Sequence, residues 1–584
     1  MRTELLRLRE RMAHYGIDAY VIPTDDFHGS EYVGDYFRCR AWVSGFTGSA
    51  GTLVVTKDWA GLWTDGRYFL QGAAQLQGSG IELMKMGEKG VPTKEQWLKE
   101  HLREDAVIGF DGRTMTSAGG KALKDLGFSI LWEKDLVGEI WEDRPSISTA
   151  PAWELDVRYT GRSRKDKLEA LIRDVKDQGC DGHILTSLDD ICWLLNVRGD
   201  DVACCPVVLG YVILVGDTVT WYVDETKLSR ELKAAICADG VTIKDYFAVY
   251  EDVKTLTGKV LLSSQVVNYA IMEGLSAQIV EGANPTTLPK ALKTDAEVEN
   301  ETIAHIKDGA ALTRFMKWVK ENAGKTQITE ISAAEKLESF RAEQENYLGA
   351  SFEPIMGYAH HGAIVHYSAT EESDIPLQAE SFLLSDTGGH YLEGSTDVTR
   401  TFALGPVTEE MKLHYTLVLK GHLNLSAAKF KQGCGGVSLD YIARAPFWER
   451  GLDYNHGTGH GVGYLLGVHE GPQNIRYNPA GNSAKLQPGM ITSNEPGIYL
   501  EGKYGVRIEN LVVCEKWQEN EYGTFLKFRD LTMCPYDLDA VELSLLTESE
   551  KAQMNAYHKK VYETLAPLYN EEDQAWLKNA TRAV

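Results

Sequence analysis

The chain has 584 residues, of which 43% are hydrophobic, 10% aromatic and 25% charged. That is a globular composition, too long for one ordinary core and suited to about three or four domains. Its 84 acidic against 60 basic residues give a formal charge of −24, which disfavours general binding to nucleic acid or anionic membranes.

Met1 to Gly16 interleaves Arg2, Glu4, Arg7, Arg9, Glu10 and Arg11 with Leu5, Leu6, Leu8 and Met12. This predicts an amphipathic helix rather than a signal or transit peptide. No run approaches the roughly 20 apolar residues of a membrane span. Leu8 to Asp26 and Leu171 to Asp190 read as diverged copies: an amphipathic helix, a Gly stop (Gly16, Gly179), an Asp, a short apolar strand and a polar turn. Strand-like runs follow in each, Gly51–Val55 and Leu62–Thr64 against Val207–Val215 and Val219–Val223. Two related α/β domains are therefore expected, covering 1–150 and 151–292 and joined near Pro145 to Pro151.

A third, α+β domain is expected over 293–584. Thr294 to Glu297 is a capping box, and Ile303, Ile306, Ala310, Phe315, Trp318 and Val319 recur at helical spacing behind it. Another helix is predicted from Thr329, and a long one from Thr408 to Lys431. Strands are predicted at Phe382–Leu384, Val398–Leu404, Met490–Asn494 and Val506–Val513. Nine scattered cysteines, with only the adjacent pair Cys204-Cys205 close together, suit a reducing cytoplasm.

The third domain carries the chemistry. In FLLSDTGGHYLEGSTDVTRTFAL, Phe382 to Leu404, Asp386 and Asp397 lie symmetrically about a Gly-containing turn. A hairpin brings their like charges together, which is costly unless a cation neutralises them. Asn455 to Gly463, NHGTGHGVG, matches no phosphate loop but exposes His456 and His460, with His469 nine residues on. Glu495 follows an apolar strand, and Arg507 and Glu509 share one face of GVRIENLVV. The resulting donor set of two Asp, one imidazole and two Glu balances two divalent cations. It suits Mn²⁺ or Co²⁺ at least as well as Zn²⁺, and a metal pair suits hydrolysis.

Asp386, Asp397, His460, Glu495 and Glu509, in this order and these contexts, resemble the dinuclear site of the pita-bread metallopeptidases. Ser30 to Val55, Leu62 to Ala73, the His361-Gly-Ala-Ile-Val-His366-Tyr motif and the closing helices are similar to the long, three-domain aminopeptidase P enzymes of that family. His361 stands where Asn is common. The resemblance implies two creatinase-like α/β domains before a pita-bread catalytic domain. By it, Asp386 holds one metal, Asp397 and Glu509 bridge, and His460 with Glu495 completes the other. It makes Glu495 the proton acceptor, and His366 and His469 contacts to substrate and tetrahedral intermediate. His456 then lies near the pocket for the residue after the scissile bond, and Arg507 supports the carboxylates.

The implied reaction is removal of the first residue from peptides with proline second, by a metal-bridging hydroxide. A cytoplasmic homodimer loaded with two Mn²⁺ is expected, with Co²⁺ and Zn²⁺ as alternatives and no nucleic-acid or membrane partner. Prolidase, which cleaves Xaa-Pro dipeptides with the same ligands, is the alternative activity. A methionine aminopeptidase is disfavoured by the extra domains, and a non-catalytic binding protein by the intact ligand set.

Overall fold

The structure, a computed structural model, describes residues 1–477 and 484–584. They form two compact units, one of Met1–Asp156 with Arg162–Thr287, the other of Val157–Gly161 with Leu288–Val584.

The first unit holds two six-stranded sheets of the same strand order. In the first sheet, Ala19–Pro23 pairs antiparallel with Thr52–Thr56, which pairs antiparallel with Ala60–Thr64, itself parallel to Glu82–Lys85. On its other side Ala19–Pro23 runs parallel to Val107–Gly109, followed by Ser129–Leu131. In the second sheet Gly182–Leu185 takes the central role. Tyr211–Val215, Thr218–Tyr222 and Val241–Lys244 lie to one side, Lys259–Leu262 and Gln278–Glu281 to the other, with the same strand senses.

The duplicated sequence pattern thus corresponds to a duplicated sheet. Helices Thr3–Tyr15 and Arg164–Asp177 run into Gly16 (φ 68°) and Gly179 (φ 70°), left-handed positions that suit Gly. The Asp that follows does the same work in both copies. Asp18 accepts from the Val107 amide (2.8 Å) and Asp181 from the Lys259 amide (2.8 Å), tying each central strand to its parallel neighbour. The two sheets are joined within the unit by His28, whose Nδ1 meets the Thr186 carbonyl (3.0 Å) and Nε2 the Tyr246 hydroxyl (2.7 Å). The predicted run Val207–Val215 becomes a strand only from Tyr211.

In the second unit the Thr294–Glu297 capping box opens the helix Asp295–Asn322. Its buried side includes Ala310, Phe315 and Val319, whereas Ile303 is exposed and lies off that face. Glu330–Ala342 follows from its Thr329 cap. A three-stranded antiparallel sheet is built from Ile355–Tyr358, Phe382–Thr387 and Val398–Ala403. Between the last two, Gly389–Tyr391 pairs with Gly394–Ser395 on one side and with Tyr347–Ala350 on the other.

A six-stranded sheet orders Lys429–Lys431, Gly523–Asp530, Asn510–Asn520, Ile491–Asn494, Gly459–Gly461 and Glu470–Ile475. Helices Glu409–Ser426 and Glu548–Leu565 supply Tyr415, Leu419, Met554 and Val561 to a core shared with Val506 and Ile508.

Two expectations fail here. The helix begun at Thr408 stops at Ser426, because Lys429–Lys431 pairs with Phe525–Lys527 as a sheet edge. The run Val506–Val513 is two strands: Tyr504–Arg507 pairs with Gly497–Leu500, and Asn510 onward joins the large sheet. Ile508 and Glu509 turn the corner, their amides donating to the Pro496 (3.4 Å) and Thr399 (3.0 Å) carbonyls.

Candidate metal centre

The corner at Ile508–Glu509 leads from the two-stranded sheet into the six-stranded one, and the acidic residues gather there. Asp386 sits near the end of its strand opposite Thr399, and Asp397 immediately precedes the strand Val398–Ala403. His460 is the middle residue of Gly459–Gly461. A Cβ at Gly459 would run into the Ser493 carbonyl, and one at Gly461 into that of Glu470. Two glycines therefore let the imidazole's strand lie against its neighbours. Glu495 follows Ile491–Asn494, its amide held by the Thr458 carbonyl at 2.9 Å.

One ligand atom each from Asp397, His460 and Glu509 lie within 4.8 Å of one another. His460 Nε2 is 3.4 Å from Asp397 Oδ2 and 3.5 Å from Glu495 Oε1. Its Nδ1 meets the Gly461 carbonyl at 2.9 Å, which fixes that nitrogen as the donor and turns Nε2 to the carboxylates.

Arg507 ties the fourth acid in. It donates to Asp386 Oδ2 (2.5 Å), to the Tyr499 hydroxyl (2.7 Å) and to Thr399 Oγ1 (3.1 Å). Thr399 in turn donates to Glu509 Oε2 at 2.6 Å.

Charge in this pocket is unbalanced. Burial raises the Glu509 carboxyl well above its ordinary value, and Asp397, Glu495 and Asp386 raise it further. Asp386 is raised by burial against the pull of Arg507, and Glu495 by burial against that of His460. His460 moves up to about 9: burial lowers it, but Asp397 and Glu495 outweigh that.

Asp386 Oδ1 is buried and has no hydrogen-bond partner within the protein. Burying a carboxylate costs several kcal/mol unless it is compensated, and one arginine with one imidazole cannot compensate four. An unpartnered buried oxygen, mutually repelling acids and an imidazole with a fixed tautomer fit a pair of divalent cations.

The remaining expected residues lie around this pocket. The His469 ring meets that of His460 edge-on, with centroids 4.4 Å apart. His456 Nδ1 contacts the Gly457 carbonyl (2.7 Å), and its Nε2 faces the Tyr499 hydroxyl (2.8 Å), so Tyr499 donates to His456 while accepting from Arg507. His366 lies in the loop after Ala359–Ala363, where the preceding carbonyl, that of Val365, accepts from Arg507 at 3.4 Å.

Sequence reasoning missed Thr399 and Tyr499. The Thr-Arg-Thr run inside a buried strand was the available signal for the first. The second connects residues too distant in sequence to leave one. Trp63 is buried in the strand Ala60–Thr64, and Arg67 pairs with Asp65 at 2.9 Å.

Residues 299–516 match the model of metallopeptidase family M24, and 524–584 match the C-terminal region of that family. Residues 5–132 and 143–297 each match a creatinase/prolidase N-terminal domain. Aminopeptidase P1 of Arabidopsis thaliana is 37% identical, with 99% of each chain aligned.

The chain belongs to the M24 metallopeptidases.

Within them, Xaa-Pro aminopeptidase 1 of Dictyostelium discoideum is 36% identical over 98% of this chain and 95% of its own. The crystal structure of the X-prolyl aminopeptidase of Caenorhabditis elegans, described as a cytosolic enzyme with a di-nuclear active site, superimposes with a TM-score of 0.95. It is 34% identical and covers all of both chains. The fold is accordingly two creatinase-like α/β domains followed by a pita-bread domain. A Bacillus anthracis Xaa-Pro dipeptidase shares the fold over 64% of this chain (TM-score 0.52, 23% identity).

Proposed function

We propose that this chain is an Xaa-Pro aminopeptidase, a metal-dependent exopeptidase that releases the first residue from peptides with proline second. The observation that carries this is the gathering of Asp386, Asp397, His460, Glu495 and Glu509 at one corner of a chain that matches aminopeptidase P end to end. Those five residues would hold two divalent cations. The oxygen-rich donor set favours Mn²⁺ over Co²⁺ or Zn²⁺. When bound, the cations supply Lewis acidity at the carbonyl and make the attacking water acidic enough to react at neutral pH.

The protein's own groups do the rest. Glu495 takes the water's proton and returns it to the leaving nitrogen. His366 and His469 donate hydrogen bonds to the carbonyl oxygen as it gains charge. Arg507 holds Asp386 in place, and through Tyr499 it orients His456 beside the residue after the scissile bond. Proline presents a tertiary amide without an N–H, so a pocket walled by rings can accept it where one built to bind that proton could not.

Domain borders at 150 and 292 are supported by separate family matches over 5–132, 143–297 and 299–516. A cytoplasmic setting is supported by nine free cysteines and by the cytosolic relative. No helix among the described residues is long and apolar enough to cross a membrane. A homodimer is supported by the exposed aromatic surface of Tyr441, Trp448 and Tyr477 on the catalytic unit.

The test is a paired assay of a tripeptide Xaa-Pro-Yaa and a dipeptide Xaa-Pro, each with metal and with chelator. Release of Xaa from the tripeptide, only with metal, is expected. Faster cleavage of the dipeptide would instead identify a prolidase, and turnover that survives chelation would end the metal reading.

A further inference from the structure

His366 is an expected substrate contact that lies outside the metal-site strands. It lies on a loop, and one carboxylate grips that loop on both sides of it. Glu330, the first residue of its helix, has a side chain with no solvent exposure. Its Oε1 accepts from the Tyr358 amide (2.7 Å) and from His361 Nδ1 (2.9 Å). Its Oε2 accepts from the Tyr367 hydroxyl (2.8 Å) and lies 3.0 Å from the same His361 nitrogen.

His361 and Tyr367 also stack, with centroids 4.4 Å apart and planes 27° from parallel. Behind them the backbone leaves no slack, because a Cβ at Gly505 would run into the Gly362 carbonyl. A fully buried carboxylate without lysine or arginine among these contacts costs several kcal/mol unless its acceptors are filled. Three donors fill them, two before His366 in sequence and one directly after it.

We infer that Glu330, His361 and Tyr367 are positioning residues that fix the main chain on either side of His366 and so aim its ring at the reacting carbonyl. The inference rests on the reading of His366 as a substrate contact. The exchange that matters is His361→Ala, which removes a donor and a stacking partner without touching His366. Displacing a catalytic contact by even an ångström costs up to about a hundredfold. The δ position offers a conservative control, since the amide of Asn carries an N–H where His carries Nδ1–H.

The experiment uses the full-length, Mn²⁺-loaded protein and an Xaa-Pro-Yaa tripeptide. It compares wild type, His361→Ala, His361→Asn, Tyr367→Phe, His366→Ala and the double variant His361→Ala/His366→Ala, with metal content measured throughout. Expected for His361→Ala is a fall of roughly ten- to a hundredfold in kcat, with KM and metal stoichiometry retained. His361→Asn should recover most of it, and Tyr367→Phe should fall between. In the His366→Ala background, adding His361→Ala should change kcat by less than about twofold, because nothing remains to be aimed.

Equal losses in both backgrounds, or no loss from His361→Ala while His366→Ala is impaired, would overturn the positioning device and leave His366 in its role. A fully active His366→Ala would overturn the role and the device together.

Discussion

The Thr399 hydroxyl touches two groups of opposite charge, donating to Glu509 at 2.6 Å and accepting from Arg507 at 3.1 Å. It fixes Glu509 and the arginine that steadies Asp386, so one small side chain serves two of the proposed ligands. Thr399→Val keeps the shape and removes both bonds. Partners of this kind typically contribute 10- to 100-fold in metal affinity. The variant should therefore bind Mn²⁺ about that much more weakly, as read by competition with a fluorescent chelator; unchanged affinity would refute the role. The five proposed ligands stood out in the sequence because like charges opposed across a hairpin, or set in an apolar run, need a reason. Thr399 did not, since threonine is an ordinary strand former. Glu330 reads as an unremarked acid in a helix's first turn, where the macrodipole alone would justify it.

At the scale of the element, the site is held by main chain packed on main chain. The strand Tyr504–Arg507, which delivers Arg507, approaches the His366 loop at Gly505 against Gly362. Gly505→Ala adds one methyl where backbone already stands, and neither segment can retreat without moving a functional side chain. A loss of about 1–3 kcal/mol is expected from such overpacking, measured by urea denaturation and accompanied by reduced turnover. Unaltered stability would mean that the approach is looser than described.

Elements were legible where punctuation was strong, as at the Thr294 and Thr329 caps and the Gly16 and Gly179 stops. They were illegible where a tertiary pairing overrode local preference. Ala427 to Lys431 suits a helix, yet pairs with Phe525–Lys527 as an edge strand. The buried run from Val506 to Val513 continues through a corner, with Val506 and Ile508 in one apolar cluster and Leu511 and Val513 in another. Period alone cannot reveal a change of sheet.

Over the whole molecule, the metal pocket contributes to how stability responds to pH. In the metal-free protein the raised carboxyls of Glu509, Glu495 and Asp386 bind more protons folded than unfolded. Their contribution therefore falls as pH climbs from ordinary carboxylate values through the raised ones. His460 acts in the same sense over a higher pH range. Its contribution is full below 6.5 and is lost as pH rises through about 9. Cations replace these protons, so binding near neutrality should release protons, His460 among the sources. The gain in Tm from saturating Mn²⁺ over chelated protein should be larger at pH 8 than at pH 6. Calorimetry at the two values decides it, and an equal or smaller gain at pH 8 would contradict the linkage.

The twin sheets of the first unit have a consequence of another kind. Strand order and direction are the same in both, and in each an Asp clips the central strand to its parallel neighbour. Their average loop-closure distances are therefore nearly matched, and folding speed across proteins follows that quantity. The molecule carries its own control experiment: whichever sheet first gains protection from hydrogen exchange during refolding does so through side chains, with topology held constant.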